Sequence, residues 1–493
     1  MSDTKSSYRQ IMKATSIFGG VQVFNIFINV IRSKFIAVLL GPLGIGVLGL
    51  ITSTTTLIAS IVNFGLDTIA VNYIAEAYGT QNLTRISIIV SVFRRIIWII
   101  GFLGFASTFI LAPWLSQITF GNNEYTWAFI WISITLLINQ LSAGHAILLQ
   151  GTRQVKYLAK AGVIGSFLGL LTTIPLYYLL GINGIVPAII LTAFLTWVIN
   201  WHFSAKINIK PSKVSMKYTI VEGKRMLKMG FLISLSGMIT LGTSYIIRIY
   251  ISKSGGVEQV GLYNAGFTIL NTYVGLIFTA MATDYYPRLS AVAKSNEKCK
   301  DVINHQAEIA LLIIAPIILT SIVFVNLVLI FLYSELFVQL KGMILYASFG
   351  LLFKAITWAI GFIFLAKRES KVFFVSEVIS NAFLLLLSIL GYKYFGLTGL
   401  GMSFLISYIF SLFQVYLIAK VKYGFTFSDA FLKIFIVQLL LAISCFFVVK
   451  LFDGFFSYVY GSLFIISSSY FTFRELDKRL DISEILYSLK NKL

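Results

Sequence analysis

Lys354 stands thirteen residues from Lys341 on one side and from Lys367 on the other, in the apolar run GMILYASFGLLFKAITWAIGFIFLA. At 1.5 Å per residue that is about 20 Å of helix each way, beyond the reach of a lysine side chain. An ammonium so deep in a membrane costs on the order of 3 kcal/mol, and such groups mark substrate or ion pathways. Arg32 and Lys34 lie in a second apolar run, FINVIRSKFIAVLLGPLGIG, and Arg248 in a third. Arg32 closes a stripe of Gln22, Asn25 and Asn29 at intervals of three, four and three, one face of a helix. Ser236, Thr240, Ser244 and Arg248 form a comparable stripe. Lys34 is near enough to the outer end of its helix to snorkel to the surface. The acidic candidates are Asp67, Asp284 and Glu377; each is either an ion-coupling group or the partner of an internal cation such as Arg288. For His145, a lone titratable group on a helix, hydrogen-bonded packing is the plainer expectation.

The elements that position these groups follow from composition. The 493 residues are 58% hydrophobic and 12% charged, with a mean hydropathy of +0.88, far above a water-soluble globule. Hydrophobic runs of roughly 20 to 30 residues are too long for membrane strands and fit spanning helices. The expected fold is therefore an all-α polytopic membrane protein of about fourteen transmembrane helices. They are read at 14–40, 45–78, 86–112, 127–150, 157–180, 184–205, 229–252, 260–292, 306–332, 342–366, 372–392, 397–419, 430–450 and 455–472. The first is expected to be retained, since no small-residue cleavage site follows it.

A net charge of +20 would suggest nucleic acid if it lined one soluble face, but the cations lie in alternate loops. External loops hold only Lys253, Lys341, Lys393 and Lys450, and Arg32, Lys34, Arg248 and Lys354 fall within helices. The rest of the 39 sit in segments that become cytoplasmic when both termini are placed inside. Cys299 and Cys445 form no ligand or redox spacing.

The basic segment from Lys206 to Lys228 separates a first set of six helices from a second, which invites a test for a repeat. At an offset of 215, Lys13 falls on Lys228, Gly41 on Gly256, Gly46 on Gly261, Arg85 on Lys300, Arg153 on Arg368, and GINGIV on GLTGLG. Asn139 falls on Lys354, and Gln140 follows it, so both halves carry polar groups at mid-membrane. An even number of helices per repeat relates the halves by a pseudo-twofold along the membrane normal, with a substrate site at their interface. The expected organisation is an N-lobe at 1–210, a basic linker at 211–228, a C-lobe at 229–425, two further helices at 426–473 and an amphipathic cytoplasmic tail at 474–493.

No Ser/His/Asp set, HExxH or phosphate-cradling GxxxxGK[ST] occurs, so no catalytic residue, metal ligand or cofactor is assigned. A cavity with cations but few deep carboxylates favours an anion. Arginine and lysine together suit phosphate, and the accompanying amides and hydroxyls suit a sugar joined to it. The substrate-binding candidates are Arg32, Arg248, Lys354, Lys34, Asn25, Asn29, Asn139 and Gln140.

LLGPLGIGVLGLITS and NFGLDTIAVNYIAE in the first half, and VGLYNAGFTILNTYVG and YYPRLSAV in the second, resemble the repeat signatures of O-antigen and lipid-linked oligosaccharide flippases. These belong to the multidrug/oligosaccharidyl-lipid/polysaccharide (MOP) exporter superfamily. The resemblance covers the first twelve helices and implies a V-shaped, two-lobed transporter in the bacterial cytoplasmic (inner) membrane. It would carry an undecaprenyl-pyrophosphate-linked oligosaccharide, for surface polysaccharide such as lipopolysaccharide, from the cytoplasmic to the outer leaflet. A cation gradient, H+ or Na+, would drive it, and Arg32, Arg248 and Lys354 would contact pyrophosphate or glycan. The expected partners are this substrate, the coupling cation, membrane lipids and other polysaccharide-assembly proteins, with no nucleic acid; the chain is expected to be a monomer. Fourteen helices depart from the usual twelve of that group and leave 430–473 without a role. Peptidoglycan-precursor flippases of the superfamily also have fourteen, and a multidrug cation antiporter is a further alternative that would need acids deep in its cavity. A membrane glycan polymerase would need a long external loop, which this sequence lacks.

Overall fold

A computed structural model of the chain describes residues 2–79, 82–207, 209, 212–452 and 454–480. With no water in the hydrocarbon core, each spanning backbone must satisfy its own polar groups, and the regular structure among the described residues is helical throughout. In chain order the helices are α1 (Ser2–Asn63), α2 (Leu66–Gly79), α3 (Leu83–Ile110), α4 (Ala112–Phe120), α5 (Thr126–Gly151), α6 (Val155–Leu180), α7 (Ile185–Ala205) and α8 (Met216–Gly255). They continue as α9 (Val257–Phe267), α10 (Gly275–Ala291), α11 (Asn296–Val323), α12 (Val325–Leu332), α13 (Lys341–Ala366), α14 (Ser370–Tyr423), α15 (Asp429–Leu451) and α16 (Phe455–Leu480). A π-helical segment, Thr268–Tyr273, joins α9 to α10.

Among the described residues, nine helical stretches are long and apolar enough to cross a membrane. Three of these are 44, 51 and 54 residues long, more than about 60 Å at the helical rise and so twice a bilayer core. Each is broken at a glycine of left-handed φ: Gly41 in α1, Gly181 between α6 and α7, and Gly396 in α14. Read as pairs, and with α8 and α16 added, they account for the fourteen spans expected.

The internal repeat is plainer in the backbone than in the side chains. Shifted by 215, α5 coincides with α13 end to end, and α3 and α4 fall on α11 and α12 within two or three residues. Gly41 and Gly256 are both left-handed in φ with extended ψ, and Gly181 (φ 56, ψ −134) matches Gly396 (φ 56, ψ −139). α5 and α13 even end alike, on an arginine in the left-handed region, Arg153 (φ 58) and Arg368 (φ 61). Each is the pivot of a Schellman cap: Gln154 N–H donates to Leu149 O and Arg153 N–H to Gln150 O, as Glu369 does to Phe364 and Arg368 to Leu365. Arginine pays a steric cost there of about 1 kcal/mol that glycine would not, yet both repeats keep it.

The chain divides into two compact units, residues 1–261 with 332–334, and residues 262–331 with 335–493. The seventh span, within α8, belongs to the first unit: Tyr245 Oη hydrogen-bonds Thr119 Oγ1 of α4 at 2.6 Å, and Thr119 in turn meets Thr54 of α1 at 3.4 Å. Helices α1 and α9 cross backbone to backbone at a repeat-related pair of glycines. A Cβ on Gly46 would lie 2.0 Å from Val257 O, and one on Gly261 1.8 Å from Pro42 O. Each glycine thus admits the backbone of the other segment.

Three expectations are revised. The segment read as a loop up to Lys228 is helical from Met216, extending α8; Ser215 caps it by accepting from the Tyr218 N–H. The second span is interrupted at Phe64 and Gly65, both of positive φ. Of the tail expected at 474–493, residues 474–480 continue α16, and 481–493 lie outside the described residues. That last turn is clamped to α11: Arg479 Nε donates to Glu308 Oε2 at 3.0 Å and its Nη1 to Glu475 Oε2 at 2.7 Å, while Lys478 also meets Glu475. The hydrogen bonds from Lys478 and Arg479 hold the Glu475 carboxyl down at about 2. Glu308 also accepts from Ser428 Oγ, the N-cap of α15, so the two helices outside the repeat share one anchor on α11.

Candidate functional site

In the first unit the polar stripe of α1 turns toward α6. Ser166 Oγ of α6 donates to Asn25 Oδ1 at 2.8 Å, and two turns further along, the Arg32 guanidinium lies beside Gly169. A Cβ on Gly169 would come within 2.6 Å of Arg32 Nη2, with Thr192 of α7 at 3.1 Å, so the guanidinium sits directly against the glycine. Tyr177 of α6 is close enough to interact with it. Arg32 Nε is buried without a hydrogen-bond partner, and no carboxylate lies within ion-pair distance among the described residues. Gln22 and Asn29 are exposed, and Lys34 is partly buried. Arg248 donates from Nη1 to Ser244 O, one turn back on its own helix, as Thr240 does to Ser236 O.

Asn139 and Gln140 are adjacent on α5 and diverge by about 100° around it. Asn139 is exposed, whereas Gln140 is buried against α3, where Gly101 lets the helices approach, and reaches Asp67 of α2. Asp67 sits in the first turn of α2, just past the Phe64–Gly65 break, and accepts from Asn63 Nδ2 at 2.7 Å across it. His145 takes the packing role expected: its Nδ1 meets Ser204 Oγ of α7 at 2.7 Å, beside a bond from Asn200 to Ser142 at 2.9 Å.

In the second unit Lys354 of α13 donates from Nζ to Asn271 Oδ1 at 2.8 Å. Asn271 lies in the π-helical segment, a distortion that often accompanies function in membrane helices. Nζ also stands 5.5 Å from the ring of Tyr408, 5.8 Å from Phe404 and 5.9 Å from Phe278. The ammonium is thus held by one amide and three π faces, with no carboxylate within 4 Å among the described residues. Glu377, on the first leg of α14, lies near Tyr408 and receives a long hydrogen bond from Asn381 at 3.4 Å. Asp284 does not converge on these groups; it is 3.8 Å from Arg288, one turn away, and its side chain is 83% exposed. Arg288 in turn donates to Gln306.

Sequence pattern missed Asn271 of the π segment and the three rings around Lys354, Phe278 of α10 and Phe404 and Tyr408 of α14. It also missed Asn63, although Asn63 and Asp67 at i and i+4 across a Phe-Gly pair carried a readable signal.

Two tandem sets of membrane-crossing helices, each with an ionisable group held where its second span is distorted, make the two-repeat organisation of a membrane transporter. Solved structures of the MOP superfamily share it. An inward-facing multidrug resistance MATE family transporter aligns with a TM-score of 0.70 at 15% identity, over 82% of this chain and 94% of its own. The lipid II flippase MurJ in an inward closed conformation aligns at 0.69 and 14% identity, over 95% of this chain and 99% of its own. A MOP superfamily transporter from Pyrococcus furiosus aligns at 0.61 and 15%, over 84% and 96%. At these identities the likeness is one of fold, and no curated protein sequence matches. Residues 35–341 match the profile of a family described as polysaccharide biosynthesis protein, and the chain belongs to that family.

Proposed function

We propose that the protein is a flippase that carries an undecaprenyl-pyrophosphate-linked oligosaccharide, an O-antigen or related surface-polysaccharide unit, from the cytoplasmic to the outer leaflet by alternating access, driven by a cation gradient. The observation that carries this reading is that Arg32 and Lys354 have no carboxylate partner among the described residues. A membrane-embedded cation without a counter-ion is costly, and an anionic substrate that supplies the missing charge offsets that cost. Arginine offers a pyrophosphate a planar fork and lysine a mobile point charge. Asn25, Asn29 and Asn139 offer amides to sugar hydroxyls. The same chemistry disfavours a drug-cation antiporter, whose ligand would meet these cations head on.

The test uses a strain lacking the protein and complemented with Arg32→Gln or Lys354→Gln, with membrane protein levels matched to wild type. Surface polysaccharide is expected to fall in both while lipid-linked oligosaccharide accumulates on the cytoplasmic face. Normal polysaccharide in both variants would sink the proposal, as would organic-cation efflux that depends on the protein.

A further inference from the structure

The distorted second spans of the two repeats hold opposite charges. In the second unit the π segment presents Asn271 to Lys354, whereas in the first the break at Phe64–Gly65 presents Asn63 to Asp67 and Gln140. Gln140 lies one position beyond Asn139, the repeat equivalent of Lys354. A site whose partner repeat is cationic is here acidic.

Asp67 stands a dozen residues, about 18 Å, from the end of α2 at Gly79, and its described partners are neutral. One carboxylate oxygen accepts from Asn63 Nδ2. The other, Oδ1, is buried and has no hydrogen-bond partner among the described residues, and the same holds for Asn63 Oδ1. Gln140 is 8% exposed, and its Nε2 approaches the carboxyl without completing a hydrogen bond. The helices packed on α2 bring Val90 and Phe93 of α3, Leu148 of α5 and Met226 of α8 to this core. Arg94 of α3 and His145 of α5 line a pocket together with Val90, Phe93 and Leu148, and Arg95 of α3 donates to Val214 O and Thr219 Oγ1. The break itself is strained, since Phe64 adopts a left-handed φ of 48, which costs of order 1–3 kcal/mol and persists where the surroundings over-determine it. The negative end of α1 and the positive end of α2 meet at this break, so the helix dipoles offset each other there, and interrupted helices of this kind supply cation sites in secondary transporters.

We propose that Asn63, Asp67 and Gln140 form the binding site for one monovalent cation, a sodium ion or a proton, at the break in the second span. Two unpaired oxygens, Asn63 Oδ1 and Asp67 Oδ1, receive it, and the Gln140 amide, whose orientation is free to reverse, completes the contact. The inference rests on the gradient-driven reading above, and the following test does not need the transported lipid.

Thermal unfolding of the purified full-length protein is measured in sodium chloride and in choline chloride at equal ionic strength, over a range of pH, for wild type and Asp67→Asn. If sodium is the ligand, wild type gains a few degrees in sodium over choline, and Asp67→Asn gains none. If the proton is the ligand, neither protein distinguishes sodium from choline, and the midpoint of Asp67→Asn exceeds that of wild type by a margin that widens as pH rises. Gln140→Leu weakens whichever response is found. The proposal is overturned if wild type and Asp67→Asn respond alike to both sodium and pH. Failure of the flippase reading with this result intact would leave a cation-binding transporter of another substrate.

Discussion

Replacing Lys354 with methionine separates a functional cation from a structural one. The hydrogen bond to Asn271 at 2.8 Å has a charged donor and contributes about 1.5–3 kcal/mol. The three rings stand at 5.5–5.9 Å, near the outer limit of cation–π attraction, and give about 0.5 kcal/mol each. Against this stands a burial cost of about 3 kcal/mol for an ammonium at this depth. The terms nearly cancel, and methionine keeps the contacts of the side-chain stem. The expected change in unfolding stability for Lys354→Met is therefore within about 1 kcal/mol. Transport is another matter: a charge-assisted contact to a phosphate oxygen of about 2–3 kcal/mol corresponds to a loss on the order of 30- to 140-fold. The assay is surface polysaccharide in a complemented deletion strain, normalised to protein in the membrane, together with the unfolding midpoint of purified protein. A variant several kcal/mol less stable, or one that exports normally, would refute the reasoning.

Gly46→Ala and Gly261→Ala should each destabilise the protein by about 3 kcal/mol, the upper end of overpacking, because the obstacle to either Cβ is a backbone carbonyl about 1 Å too close. Gly237→Ala, with nothing within 4 Å, is the control and should be neutral or stabilising by up to about 1 kcal/mol; unfolding midpoints decide, and a Gly46→Ala protein as stable as this control would contradict the crossing. Glu475 is a carboxyl whose folded pKa, about 2, lies below its ordinary 4.5. The stability it contributes is present above pH 4.5 and lost as pH falls toward 2. The midpoint of Glu475→Gln should thus trail wild type at neutral pH, with the gap closing on acidification; a gap that is constant or grows in acid would count against the clamp on α11.

Much of this was legible in one dimension because the bilayer simplifies the code. Apolar runs of bilayer length can only be helices. A repeat too faint to argue from side-chain identities was nonetheless in phase, and its markers at Gly41, Gly181 and Arg153 proved to be residues of special φ whose partners share the conformation. A left-handed backbone position constrains residue type strongly, so such markers persist where apolar residues drift. What the linear pattern did not resolve was which of two neighbouring polar groups faces which helix. Asn139 and Gln140 looked like one feature and are two, and the Asn25–Asn29–Arg32 stripe is divided between a bond to Ser166, an exposed amide and a guanidinium fitted against Gly169.

The sequence by itself determined the helices, their number and their pairing into repeats, since burial in hydrocarbon and backbone satisfaction act locally along each segment. Only the tertiary structure decided what surrounds the charges, because a partner is set by the rotation of one helix against another. It placed Asn271 and three aromatic rings around Lys354, and left Arg32 Nε and Asp67 Oδ1 without hydrogen-bond partners among the described residues.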